Sequence, residues 1–122
     1  MQNKNYRASA KEKRWISQVA ELPCVSCGFQ IVEIHHPAGV MAKFNKQHIG
    51  PWWLIPLCNR CHGLVTRCSD DLSMSIWGFP LVGRWDAEKI LFTEVLEHFH
   101  EGSADQEYPS EDVIKAIKGF RR

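Results

Sequence analysis

The 122-residue chain has no apolar run of membrane-spanning length, so no transmembrane helix is expected. Residues 1–14 are polar and basic and lack the apolar centre of a secretory signal, which points to a cytosolic protein. Internal repeats and low-complexity tracts are absent, and this sets aside solenoid and linker-like architectures. Net charge is scarce too, at +1, and gives no whole-chain sign of a polyanionic partner. Length itself is short: such a domain is near the lower limit for burying a self-sufficient core, so a metal staple would help it fold.

What is present is unevenly placed. Residues 1–67 carry nine Lys or Arg and three Asp or Glu, whereas residues 68–122 carry six and eleven. Such an excess is commonly no more than a solvated basic face, and it gains weight for nucleic acid only beside a metal site.

Five cysteines in a chain without an export signal favour metal or redox chemistry over a disulfide framework. Cys24-Val-Ser-Cys27 and Cys58-Asn-Arg-Cys61 are two C-x2-C pairs thirty residues apart, the spacing of a four-thiolate zinc site. A thioredoxin-like reading of the first pair stays open, but the second pair and the histidine after it favour zinc. Four thiolates close a tetrahedron and leave no position for water or substrate, so such a zinc is structural. Cys68 is left over and reads as a small buried hydrophobe.

Around these cysteines the chain reads as an α+β domain. Ser9-Ala-Lys-Glu12 is a capping box that opens a helix over residues 10–22, with Trp15, Val19 and Leu22 beside Ile16 as its apolar stripe and Pro23 as its stop. Lys11, Lys13 and Arg14 are either plain surface or a phosphate-facing patch. Residues 24–28 form a tight turn in which Gly28 is free to take positive φ. Residues 29–34, rich in β-branched side chains, predict a strand ending at His35; residues 37–51 predict a long loop. Residues 52–57 predict a second strand, with Pro56 at an edge or end, and a helix follows over residues 59–67. This order folds one hairpin against one helix. The segment 69–83, with Met74, Ile76, Trp77, Phe79 and Leu81, is expected to pack on that module as a loop. Asp86 is expected to cap a helix running to residue 100, with Phe92, Val95, Leu96 and Phe99 on one face. Residues 101–109 read as an acidic linker, and Ser110 caps a last helix over 111–118 that ends at Gly119. The organisation expected is a flexible 1–8, a domain over 9–100 with its core module at 24–67, and a tail over 101–122 whose Lys115, Lys118, Arg121 and Arg122 could touch DNA but read better as solvated.

A closed four-cysteine site leaves His35, His36 and His62 without a duty. Taken singly, each would be a surface or hydrogen-bonded core histidine. Adjacent histidines at a strand end point to opposite faces, so one can bind metal while the other faces a substrate. With His62 directly after the last thiolate, the set supports a two-histidine divalent site beside an independent imidazole, against three incidental histidines.

These residues resemble a known family. Cys24-x2-Cys27, His35-His36-Pro37 and then Ile55-Pro56-Leu57-Cys58-x2-Cys61-His62 are similar to the HNH, or ββα-metal, endonucleases. More narrowly, Leu22-Pro23-Cys24 and the segment from Trp53 through Leu54 and Ile55 to Cys58 resemble the phage and prophage branch that includes RecA-dependent recombination-enhancement nucleases. The resemblance covers residues 15–67, and the 86–100 helix only by position and character. It implies a zinc-stapled ββα-metal module with an N-terminal helix and C-terminal helices packed around it. It also implies DNA phosphodiester hydrolysis with one divalent ion, His35 and His62 as its ligands and His36 as general base. Mg²⁺ or Mn²⁺ is the expected ion, although imidazoles also suit zinc or nickel. The partners implied are DNA and a RecA-like recombinase filament in a bacterial host cell.

Two positions depart from the family's pattern. Its central Asn, nine residues before the second ligand, is Trp53 here, which is expected to pack under the hairpin. A third ligand found in some members would be Thr66; His48 is a candidate accessory ligand from the long loop, or else faces solvent or DNA. Lys43, Lys46, Arg60 and Arg67 are the candidate phosphate contacts, and nothing resembles a base-reading helix, so low sequence specificity is expected. The competing class is a non-catalytic zinc module that binds nucleic acid or a host protein. A third is a phage-encoded inhibitor or adaptor that docks through its acidic half.

Overall fold

The computed structural model describes residues 8–67 and 84–120. The expectations for residues 1–7, Cys68, the 69–83 segment, Arg121 and Arg122 lie outside the described residues. Helix α1 spans Ala10–Ala20, and its capping box forms as the sequence predicts. Ser9 Oγ accepts from the Glu12 amide at 3.1 Å, and Glu12 Oε1 accepts from the Ser9 amide at 2.8 Å. The helix stops two residues before the expected end, with Glu21 as C-cap, because Pro23 disfavours a helical backbone at Leu22. Trp15 and Val19 are fully buried, and Trp15 Nε1 donates to Trp52 O at 3.0 Å. Ser9 is exposed, so Ser9→Ala removes the cap and little else. A loss of about 1 kcal/mol is expected, readable as a Tm lower by a few degrees in a thermal melt; an unchanged Tm would show the box to be idle.

Strand β1, Glu33–His35, pairs antiparallel with β4, Ile55–Leu57, in the register Glu33↔Leu57, Ile34↔Pro56 and His35↔Ile55. The expected strands over 29–34 and 52–57 are therefore each shortened to three residues. Beyond Leu57 the chain turns into the second cysteine pair, so residues just before Glu33 meet no partner strand among the described residues, and Phe29 and Ile31 stay exposed. Pro56 lacks an amide to pair, and its carbonyl accepts from the Val25 amide at 3.1 Å, tying the first cysteine turn to the sheet. Helix α2, Asn59–Arg67, follows β4 directly.

The expected 37–51 loop contains a second sheet. Strands β2, Lys43–Phe44, and β3, Gln47–His48, are joined by Asn45 and Lys46, both in the left-handed region at φ 52 and 68. Two such residues make the hairpin turn whose twist matches its strands. The usual sequence signal is Asn-Gly, and here Lys46 takes the glycine position.

Helix α3 spans Arg84–Leu96. It begins before Asp86, whose carboxylate lies in the first turn and complements the helix dipole instead of capping it. It ends before the expected residue 100, in turns that carry the chain to Phe99. Helix α4, Glu111–Gly119, has the expected Ser110 cap, with Ser110 Oγ accepting from the Val113 amide at 3.2 Å. α4 packs on the β2–β3 hairpin and buries Val113, Ala116 and Ile117, with Phe120 just beyond, in the main core with Trp15, Val19, Trp53, Phe92, Val95 and Phe99. A second core joins Cys24, Ile55, Leu57, Cys58, Cys61 and Val65 to Leu91 of α3. α3 thus bridges the two cores. Among the described residues no helix is long and apolar enough to cross a membrane.

Candidate metal and active centre

The two cysteine pairs meet as their spacing predicts. The first turn is closed by the Cys24 amide donating to Phe29 O at 2.8 Å and the Gly28 amide donating to Cys24 O at 2.7 Å, with Gly28 at φ 86. The second pair straddles the start of α2, where the Cys61 amide donates to Cys58 Sγ at 3.5 Å. All four sulfurs lie within 4.8 Å of one another, and Cys27 Sγ is 3.6 Å from Cys58 Sγ. Zn–S bonds of ~2.3 Å imply sulfur edges of about 3.8 Å, so the tetrad could hold a zinc ion with little movement. The Cys61 amide, ahead of contributions from the other thiols, pulls the Cys58 thiol down to about 7, whereas burial pushes the Cys61 thiol up to about 12. A central cation would hold all four as thiolates. Cys24, Cys58 and Cys61 are buried and Cys27 is exposed, so the sulfur cage has one open side.

The histidines gather on the same hairpin and helix. His35 ends β1, is 4% exposed, and its Nε2 donates to Glu88 Oε2 on α3 at 2.5 Å. His62 sits in the first turn of α2, and its Nδ1 donates to Glu33 Oε1 at 2.6 Å. The other oxygen of Glu33 accepts from Asn59 Nδ2 at 3.0 Å. Those hydrogen bonds, first from Asn59 and then from His62, hold the Glu33 carboxyl below its ordinary range. The two rings meet edge to face with centroids 5.0 Å apart. His36 lies just past the strand and is half-buried. Burial first, and then the proximity of His35 and His62, push its pKa down from the ordinary 6.5, which favours neutral imidazole. The His36 ring has no hydrogen-bond partner among the described residues.

His48 is on β3, where its Nε2 donates to Val40 O at 3.1 Å and braces the hairpin. It completes no three-ligand group with His35 and His62; among the described residues the cysteine tetrad is the only group of that kind. Lys43 and Lys46 are exposed on the hairpin, Arg60 is exposed in the first turn of α2, and Arg67 ends that helix with its side chain outside the described part. Trp53 is core: it is 1% exposed and packs against Trp85 and Phe120 at centroid distances of 5.9 and 5.5 Å.

Two carboxylates of this centre escaped the sequence reading. Glu33 was legible in principle, because residues two apart on a strand share a face and Glu33 is two before His35. Glu88 left a fainter mark: it shares the core-facing stripe of α3 with Leu91, Phe92 and Val95, an acidic residue where the period calls for an apolar one. No protein-family model matches the chain, and no curated protein or solved structure is similar to it. The functional reading therefore stands on the geometry and on the motif.

Proposed function

We propose that the chain is a divalent-metal-dependent DNA endonuclease of low sequence specificity, with His36 as general base and His35 and His62 as metal ligands. One observation carries this reading: three imidazoles lie together, two of them tied to carboxylates and the third, His36, uncommitted and favoured as neutral. His35 and His62 each keep one ring nitrogen that no described residue engages, and these two could hold a divalent ion; imidazole by itself suits zinc or nickel, so Mg²⁺ or Mn²⁺ would need water and phosphate oxygens to complete its coordination. When bound, such an ion supplies charge stabilisation to the oxygens of the scissile phosphate. Neutral His36 takes a proton from water, the oxygen left behind attacks phosphorus, and the bridging P–O bond breaks; the leaving oxygen takes a proton from solvent water, giving a phosphate monoester and an alcohol. Lys43, Lys46, Arg60 and Arg67 contact backbone phosphates and so position DNA without reading bases. Cys24, Cys27, Cys58 and Cys61 would hold a structural zinc, which would tie the first cysteine turn to the start of α2. The resemblance of the motif supports a role in phage or prophage DNA recombination in a bacterial host cell, with a recombinase filament as partner.

Incubation of the purified chain with supercoiled plasmid and with single-stranded circles is expected to give nicked or linear products with Mg²⁺ or Mn²⁺ and none with EDTA. The burial of Trp53, and the lack of a third ligand beside His35 and His62 among the described residues, favour the second reading, a non-catalytic zinc module that binds nucleic acid or a host protein. Retarded but uncut plasmid under every metal condition would establish that reading in place of the nuclease.

A further inference from the structure

We propose that Glu33 and Glu88 are positioning residues that select which ring nitrogens the centre presents: Nδ1 of His35 and Nε2 of His62. The inference deepens the nuclease reading and rests on it for the identity of the ligand. A neutral imidazole carries one N–H and one lone pair, and a carboxylate oxygen can take only the N–H. Glu88 therefore places the proton of His35 on Nε2 at 2.5 Å, and Glu33 places that of His62 on Nδ1 at 2.6 Å. The remaining nitrogens hold the lone pairs a metal needs. The carboxylates hold the two histidines in opposite tautomers, and the rings meet edge to face with centroids 5.0 Å apart.

The burial of Glu88 argues against packing as its reason to exist. Its side chain is fully buried, in the stripe that carries Leu91 toward the cysteine core. A carboxylate there costs desolvation that an apolar residue would avoid, unless its partner needs the charge. Glu33 reaches the same arrangement from the half-exposed side of the hairpin, with Asn59 fixing its second oxygen. Two independent carboxylates, 55 positions apart and on different elements, each claim one nitrogen of one histidine. Such outer partners orient a ligating ring and raise its basicity, and their loss typically costs about 10–100-fold in metal affinity.

The test uses the full-length, zinc-loaded protein. Long-range proton–nitrogen NMR of the imidazoles reads the tautomers without any added ion. The expected result is Nε2–H for His35 and Nδ1–H for His62. Glu33→Ala is expected to release the His62 tautomer and to weaken Mn²⁺ binding, followed by calorimetry, by about 10-fold or more, with zinc content and Tm retained. Glu88→Gln keeps an acceptor oxygen, so the His35 tautomer should persist while Mn²⁺ affinity still falls; Glu33→Gln should likewise restore the His62 tautomer. Should Glu88→Gln fail to fold, the Glu33 pair decides. Reversed tautomers, no Mn²⁺ binding by the parent protein, or Mn²⁺ binding indifferent to the Glu33 substitution would each overturn the proposal. Mn²⁺ binding that follows the tautomers in a protein that cuts no DNA upholds it and overturns the nuclease reading instead.

Discussion

His36→Ala is expected to reduce DNA cleavage by about 10²–10⁴-fold, the usual contribution of a positioned general base, and to leave zinc content and Tm near those of the parent chain. The expectation follows from what surrounds the ring. His35 and His62 each spend a nitrogen on a carboxylate, whereas the His36 ring engages no described residue and packs half-buried beside them. Burial and the two neighbouring imidazoles depress its pKa below 6.5. The sign is direct: only the deprotonated ring accepts a proton, so a lowered pKa keeps the base active toward lower pH, and a bound cation pushes the same way. The pH–rate profile should therefore have its acid-side midpoint below 6.5. Plasmid nicking at saturating Mn²⁺ measures both effects. Equal rates for parent and variant would remove His36 from the mechanism.

Stripping the metal from the cysteine tetrad is expected to unfold the hairpin and α2 together. Structural zinc sites contribute ~10–16 kcal/mol of apparent binding energy, and a small domain's whole stability is ~5–15 kcal/mol, so the chain without its ion should not hold this architecture. Cys24, Ile55, Leu57, Cys58, Cys61 and Val65 form one buried cluster, and separation of the sulfurs opens it to water. Exposed Cys27 gives a chelator its way in. Acid acts through the same atoms: ligation needs thiolates, protons compete for them, and zinc-derived stability is present at high pH and lost as pH falls. Native mass spectrometry should find one zinc per chain, and circular dichroism with a strong chelator should show a cooperative loss of structure that added zinc reverses. Cys58→Ser should reproduce it. A chain that binds no zinc and keeps its melting curve would refute the role.

The cysteine spacing, the Ser9 and Ser110 caps, the helix over residues 59–67 and the grouping of His35, His36 and His62 are all legible in the sequence. Each is a short-range regularity: a cap reaches three residues, a helix repeats every few, and a thiolate tetrahedron demands two knuckles of fixed spacing. The β2–β3 hairpin was not legible, because its turn places Lys46 in a left-handed conformation that the residue type does not announce. The shortened β1 was hidden for a different reason. Residues 29–32 have strand composition, but a strand exists only where a partner runs beside it, and β4 supplies three residues.

The histidine centre divides along the same line. Residue types and spacing were enough to name its imidazoles and to separate them from the four thiolates. The contacts that set their proton positions depended on the packing of α3, which carries Glu88 to His35 across 53 positions of chain, and on the two-residue stagger of β1, which turns Glu33 toward His62. Trp53 went to the core for the same cause, held between Trp85 and Phe120 from two distant helical segments. Local chemistry is written in neighbouring residues because its forces act over one or two turns of chain. The meeting of Glu88 with His35 is decided by the closure of the core, since burial makes so distant a pair adjacent and water-poor, whereas the exposed Glu33–His62 pair is set by strand pairing and the start of α2.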